Sequence, residues 1–131
     1  MALLKLSVVT PEKTLLECEA ESVTVPLFDG AKGILANHAP MIGGLGPGIL
    51  TVKTASQTDR YFVEGGFVQV DNNTVSVLTN VAMPLSQLDT TALEEQLADL
   101  KAASPETASE KLARERQLVQ TRAMLQASRS A

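Results

Sequence analysis

Two hydrophobic periods divide this chain. As far as about Met83, apolar and polar residues alternate in short runs: Leu4, Leu6 and Val8 around Lys5 and Ser7, then Val23, Val25 and Leu27 around Thr24 and Pro26. Leu50 with Val52, Tyr61 with Val63, Val68 with Val70 and Val75 with Val77 repeat the theme. A period of two is that of a strand with one face in a core. Turn signals separate the runs at Thr10-Pro11, Phe28-Asp29-Gly30, Gly46-Pro47-Gly48 and Asp71-Asn72-Asn73. The last is short and rich in residues tolerant of positive φ, which predicts a tight hairpin. Pro26 marks either an edge strand or a strand end. Many short strands so punctuated predict a β-sandwich over residues 1–84.

After Pro84 glycine disappears and Ala, Leu, Glu, Gln and Arg take over. Thr91-Ala92-Leu93-Glu94 has the form of a capping box, with Asp89 and Thr90 as alternative openings of the same helix. Leu93, Leu97 and Leu100 then recur on one face. Ser104-Pro105 is expected to end that helix and open another, with serine at the cap and proline in the first turn. The following stretch, 106–127, has neither glycine nor proline and is long enough for roughly 33 Å of helix. The fold class is therefore β plus α: an N-terminal antiparallel β-sandwich followed by a C-terminal antiparallel two-helix hairpin over residues 85–131.

The second helix carries two stripes. Lys111, Arg114, Leu118, Arg122, Leu125 and Arg129 follow at spacings of three or four, giving a basic stripe with interleaved leucines. Ala108, Leu112, Val119 and Ala123 form a neighbouring apolar stripe, expected to pack on the first helix and leave the basic one free. A free basic stripe is either a solvated face or a docking face for an acidic partner. Two short helices with thin apolar stripes bury little surface, so the hairpin is expected to be weakly held.

Composition removes several function classes. The chain has 131 residues, 44% of them apolar, with a formal net charge of −4 and a pI near 4.9. That charge, without a basic-aromatic platform, disfavours nucleic-acid binding. A single cysteine, Cys18, excludes an internal disulfide and a cysteine-rich zinc site. Between Glu17 and Glu19 it has no electropositive neighbourhood to activate it and is expected to be a small buried apolar residue. No apolar run approaches bilayer length, so no direct membrane insertion is expected, and the first ten residues look like a strand and not a targeting peptide.

Candidate chemistry is sparse. His38 is the only histidine; it lacks a second histidine for a metal site and a partner for a nucleophilic pair, and its place beside Ala39-Pro40 suggests that it fixes a loop or an interface. Glu17, Glu19 and Glu21 alternate and are better explained as a solvated or edge-protecting array than as a cation site. The stretch 29–50 holds six glycines, but it lacks the Gly-Lys-Ser/Thr ending of a phosphate loop and leads into a strand. Gly65-Gly66 suggests a bulge or a close approach of backbones. No catalytic residue, cofactor or metal site is assigned.

The order of these elements is specific. Gly33-Ile34, Asn37-His38-Ala39-Pro40 and Gly46-Pro47-Gly48 are followed by Val63-Glu64-Gly65-Gly66-Phe67-Val68-Gln69-Val70, by Asn73-Thr74-Val75-Ser76-Val77-Leu78, and by a two-helix tail. In that order the chain resembles the ε subunits of F-type ATP synthases, counterparts of mitochondrial δ, over nearly its whole length. The resemblance implies a non-catalytic subunit of the central stalk, or rotor, beside the γ subunit, with the sandwich close to the membrane c-ring. It would couple proton flow to ATP synthesis and restrain ATP hydrolysis when its helices extend transiently toward the α and β subunits.

By the same resemblance Asp29, Ala31, Lys32 and His38 would face the c-ring, and the stripe Lys111, Arg114, Leu118, Arg122, Leu125 and Arg129 would meet an acidic loop of β. The implied location is peripheral, on the cytoplasmic face of a bacterial inner (plasma) membrane, or on the thylakoid stromal face if the chain is organelle-encoded. One departure stands out. Some members bind ATP through Ile/Leu-Asp-x-x-Arg-Ala, whereas Leu88-Asp89-Thr90-Thr91 is followed here by Ala92-Leu93, so the guanidinium is missing and no nucleotide is expected as a cofactor. The rival reading is a stand-alone β-sandwich ligand-binding module with a helical lid, against which the shortage of aromatics counts.

Overall fold

Among the described residues the alternating half forms ten strands arranged in two five-stranded sheets. The computed structural model describes residues 3–129, and the chain divides into two units, Met1–Pro84 and Leu85–Ala131. In the first sheet the order is β2 (Thr14–Ala20), β1 (Leu4–Val9), β9 (Thr74–Leu78), β8 (Phe67–Asp71) and β5 (Met41–Gly44). The second runs β10 (Val81–Pro84), β7 (Thr58–Glu64), β6 (Gly48–Lys53), β3 (Ser22–Leu27) and β4 (Gly30–Leu35). Neighbours are antiparallel except β1 and β9, which pair in parallel because most of the sandwich separates them in the chain.

Alternation places the core. Leu4, Leu6, Val8, Val68, Val70, Val75 and Val77 of the first sheet meet Val23, Val25, Ile34, Leu50, Val52 and Val63 of the second, all essentially inaccessible to water. Aliphatic side chains fill the space between the sheets, as a chain poor in aromatics requires. Pro26 lies in an interior strand. It sits beyond Thr24, the last β3 residue paired with β6, so its missing N–H costs no bond on that side. The strand-end alternative is the one realised.

Two turns fix the ends of the sandwich. Asn72 (φ 50°) and Asn73 (φ 58°) make the two-residue link between β8 and β9, the left-handed pair that matches strand twist. The Asn73 side-chain oxygen accepts the Asn37 N–H at 2.6 Å. At the β7–β8 turn, Gly65 (φ 76°) and Gly66 (φ 86°) both adopt positive φ. A side chain on Gly66 would run into the Leu78 carbonyl oxygen. Gly66→Ala is therefore expected to cost about 3 kcal/mol and to lower the thermal midpoint by more than about 10 °C. Gly33→Ala, where a Cβ meets nothing within 4 Å, is the control that should change little in the same melt.

In the second unit a single 3-10 turn, Leu85–Gln87, precedes α1 (Thr90–Ala102) and α2 (Ala108–Arg129). Asp89 caps α1, its carboxylate accepting the Ala92 N–H at 3.2 Å. The second helix starts later than the Ser104-Pro105 pair suggests. Thr107 Oγ1 accepts the Glu110 N–H at 3.1 Å, and Glu110 Oε2 accepts the Glu106 N–H at 3.0 Å and the Thr107 N–H at 3.4 Å. This reciprocal box satisfies the orphan donors of the first turn, which Ser104 does not reach.

The two stripes of α2 also exchange roles. Leu118 and Leu125 are buried, whereas Leu112 and Val119 are more than half exposed. The contacts with α1 come from the basic stripe and its margin: Arg114 with the Leu100 and Lys101 carbonyls, Ser128 with Thr90, and Arg129 with Glu94. Each stripe has one pair of large aliphatic side chains seven residues apart, Leu118 with Leu125 and Leu112 with Val119, and the basic one adds polar bonds to the ends of α1. Arginine can take part in this seam because its stem packs while its head finds polar partners, the carbonyls at the end of α1 for Arg114 and the Glu94 carboxylate for Arg129.

Candidate functional site

Each sheet has a free edge on the side where the chain passes from β4 to β5. Among the described residues β4 pairs only with β3 and β5 only with β8, so one side of each main chain is open. The loop 36–40 joins the two strands at one end. At the other, Leu27 bridges Leu45, Phe28 N–H donates to the Gly44 carbonyl at 3.4 Å and Gly46 N–H to the Pro26 carbonyl at 2.9 Å. The result is an open groove of about 550 Å³ lined by Asp29, Ala31, Lys32 and His38 together with Leu27, Met41 and Ile42. Fold geometry thus brings together the four sandwich residues singled out from the sequence.

Their roles in the groove differ. Lys32 stands two residues before buried Ile34 on the strand, an inward-facing charge of the kind that keeps an edge from pairing indiscriminately. His38 is partly exposed; its Nδ1–H donates to the Ala39 carbonyl at 2.6 Å, while its main-chain N–H donates to Leu35 at 3.2 Å. Asn37 (φ 66°) makes the bend. The imidazole therefore holds a loop.

A second surface was not singled out from the sequence. Register aligns Gly44 with Phe67, Phe67 with Leu78, and Leu78 with Val9 across four strands of the first sheet. Their neighbours Val68 and Val77 point into the core, so this row faces out. Phe67 and Leu78 are each 41% exposed, Ile42 72% and Phe28 80%. The Phe28 ring lies over Gly44, where a Cβ would approach it to 2.9 Å, so only glycine admits it. Phe28, Ile42, Phe67 and Leu78 form a continuous apolar strip, the kind of surface that marks a protein contact.

The remaining candidates carry less. Cys18 packs beside the core; burial, with a smaller contribution from the Asp59 carboxylate, pushes its thiol up and keeps it protonated and unreactive at neutral pH. Tyr61 is raised by the same two causes in the same order, with a further push from Cys18. Glu17 and Glu19 are exposed on β2, with Lys5 directly across from Glu19. Among the described residues no three His, Cys, Asp or Glu side chains gather closely enough to hold a metal ion. Ala92 is exposed in the first turn of α1, where its N–H serves the Asp89 cap.

On the hairpin, Arg122 lines an open groove of about 370 Å³ with Leu97, Leu125 and Arg129. Arg129 pairs with Glu94 at 2.9 Å, both side chains more than half exposed. Lys111 is exposed in the second turn of α2. Among the described residues no helix is long and apolar enough to cross a membrane.

The first unit is thus a sandwich with open edges at β4 and β5 and an exposed apolar strip, and the second is a helical hairpin. Residues 3–85 match the family model described as ATP synthase, Delta/Epsilon chain, beta-sandwich domain. The ATP synthase epsilon chain of Rhodopirellula baltica is 46% identical over 125 residues, covering 93% of this chain and 95% of its own length. That of Rhodospirillum centenum is 41% identical over 130 residues, covering 93% and 89%. Among solved structures, a chain in the cryo-EM structure of the Euglena gracilis mitochondrial ATP synthase (OSCP/F1/c-ring) superposes with a TM-score of 0.86. It is 26% identical, with 97% of this chain and 82% of that one covered. The chain belongs to the delta/epsilon chain family of ATP synthases.

Proposed function

We propose that this chain is a non-catalytic rotor subunit, which couples proton flow through a membrane c-ring to ATP synthesis and restrains ATP hydrolysis through its C-terminal helices. The apolar strip on the first sheet carries the reading, because Phe28, Ile42, Phe67 and Leu78 need a permanent partner and γ supplies one. The groove at the β4–β5 edge, with Asp29 and Lys32 offering both charge signs, suits the polar loops of a c-ring. Family membership over both units supports the same assembly, peripheral to the membrane and on the face that carries the catalytic head.

The hairpin is closed, and that sets the terms of the brake. With Leu118 and Leu125 covered and Arg114 and Arg129 engaged on α1, an acidic β-subunit loop meets the full stripe only after the helices part. Two arrangements separated by a few kcal/mol let partners choose between them. Lys111 and Arg122 are the stripe cations outside the bonds to α1, so they test docking without disturbing closure. Lys111→Ala/Arg122→Ala should relieve the restraint on hydrolysis several-fold, since exposed pairs contribute about 0.2–1 kcal/mol each. Added salt should reproduce the effect in the parent enzyme, because exposed charges are screened over about 8–10 Å. Parent-like inhibition by the double variant at low salt would leave the stripe a solvated face.

A further inference from the structure

We infer that Arg114 is the latch that holds the hairpin closed. The last turn of α1 has no glycine to wrap its carbonyls: Ala103 is extended and gives only its own N–H, to Asp99. Arg114, fourteen residues beyond Leu100, fills the gap from the other helix. Its Nε–H donates to the Leu100 carbonyl at 2.7 Å, and Nη2 reaches the Lys101 carbonyl at 3.4 Å. A cation at a helix C-terminus also meets the negative end of the helix dipole. The side chain is 25% exposed, against 61% for Arg129 in its pair with Glu94. Compared with the Thr90–Ser128 and Glu94–Arg129 ties, the Arg114 bond is short, charged and sheltered, and such bonds are the stronger class.

Geometry makes this cap conditional. A glycine or a local side chain would cap α1 whatever α2 did, but Arg114 caps it only while α2 lies alongside. Opening therefore uncaps α1 and releases a guanidinium in one step. Glu115, its neighbour on α2, already pairs with Arg114 Nη1 at 3.4 Å in the closed hairpin and stays beside it when the helices part. An acidic surface on a partner competes with the Leu100 and Lys101 carbonyls for the same side chain, so docking and closure exclude each other at Arg114. The latch rests on the reading of the hairpin as a movable element, but it is testable in the isolated chain.

The test uses the full chain with Cys18→Ser and spin labels at Ala98→Cys on α1 and Gln117→Cys on α2, both exposed. Arg114→Gln keeps most of the stem and removes the charge; pulsed EPR should show the ratio of long to short distances rising about tenfold or more. Arg114→Lys should fall between that variant and the parent, while Arg129→Gln should move the ratio by less than about threefold. An unchanged distribution in Arg114→Gln, or equal opening in Arg129→Gln, would overturn the latch. Helical circular dichroism of Arg114→Gln should remain above three-quarters of the parent value, which separates opening from unfolding. Opening in the isolated chain with no change of ATP hydrolysis in the assembled enzyme would uphold the latch and remove the brake.

Discussion

Cut after Pro84, the chain is expected to leave a folded sandwich that still binds γ but no longer restrains ATP hydrolysis. All ten strands are complete by then, and the core between the sheets draws on none of the later residues. The docking strip and the edge groove also lie wholly within the fragment. Its circular dichroism should show β structure with a cooperative melt, and its affinity for γ should stay within about threefold of the parent. The stripe on α2 is gone, so hydrolysis in enzyme reconstituted with the fragment should rise to the level seen without any restraint. A fragment that loses its β spectrum would show that the two units fold as one.

Phe28→Ser combined with Phe67→Ser should weaken γ binding by about a hundredfold or more while leaving the melt nearly unchanged. Exposed side chains contribute little to the stability of the free protein, whereas an aromatic anchor at the centre of an interface is worth about 2 kcal/mol or more. Calorimetric titration of γ into the double variant is the check. Leu35→Ser is the matching control: Leu35 is 63% exposed on the β4 edge, away from the strip, and should bind normally. Equal binding by the double variant would move the γ contact elsewhere on the sandwich.

The strip shows where sequence reasoning stops. Strands with one face in the core advertise themselves, and Leu4, Leu6 and Val8 or Val75 and Val77 alternate plainly. Edge strands do not: β4 buries only Ile34, and β5, Met-Ile-Gly-Gly, buries no residue fully. In the linear sequence Phe28, Ile42, Phe67 and Leu78 are four unrelated apolar residues. Only the register of β5, β8 and β9, with the Phe28 ring folded over Gly44, makes them one surface. Gly44, which looks merely permissive, is where that ring lies over the strand.

The hairpin fails for a different reason. Leu112 with Val119 and Leu118 with Leu125 are both apolar pairs seven residues apart, and periodicity cannot rank them. The second pair comes with hydrogen bonds to the ends of α1, through Arg114, Ser128 and Arg129. Thr107 to Glu110 carries the capping-box pattern in plain letters, yet the proline at 105 draws the eye to an earlier start. The groove residues Asp29, Ala31, Lys32 and His38 come together because the β4–β5 connection turns the chain from one sheet to the other. Glycine, asparagine and proline between 29 and 48 announce that turning without revealing its direction.

The most direct test of the central claim is cross-linking at the groove in the assembled enzyme. Ala31→Cys in a Cys18→Ser background, coupled to a short photoactivatable reagent and illuminated in native membranes, should give an adduct with a c subunit. Proton pumping driven by ATP should then survive, since the linkage joins two parts of one rotor. No c-subunit adduct, together with full alkylation of the introduced thiol by a water-soluble maleimide in the intact complex, would contradict a rotor subunit seated on the c-ring.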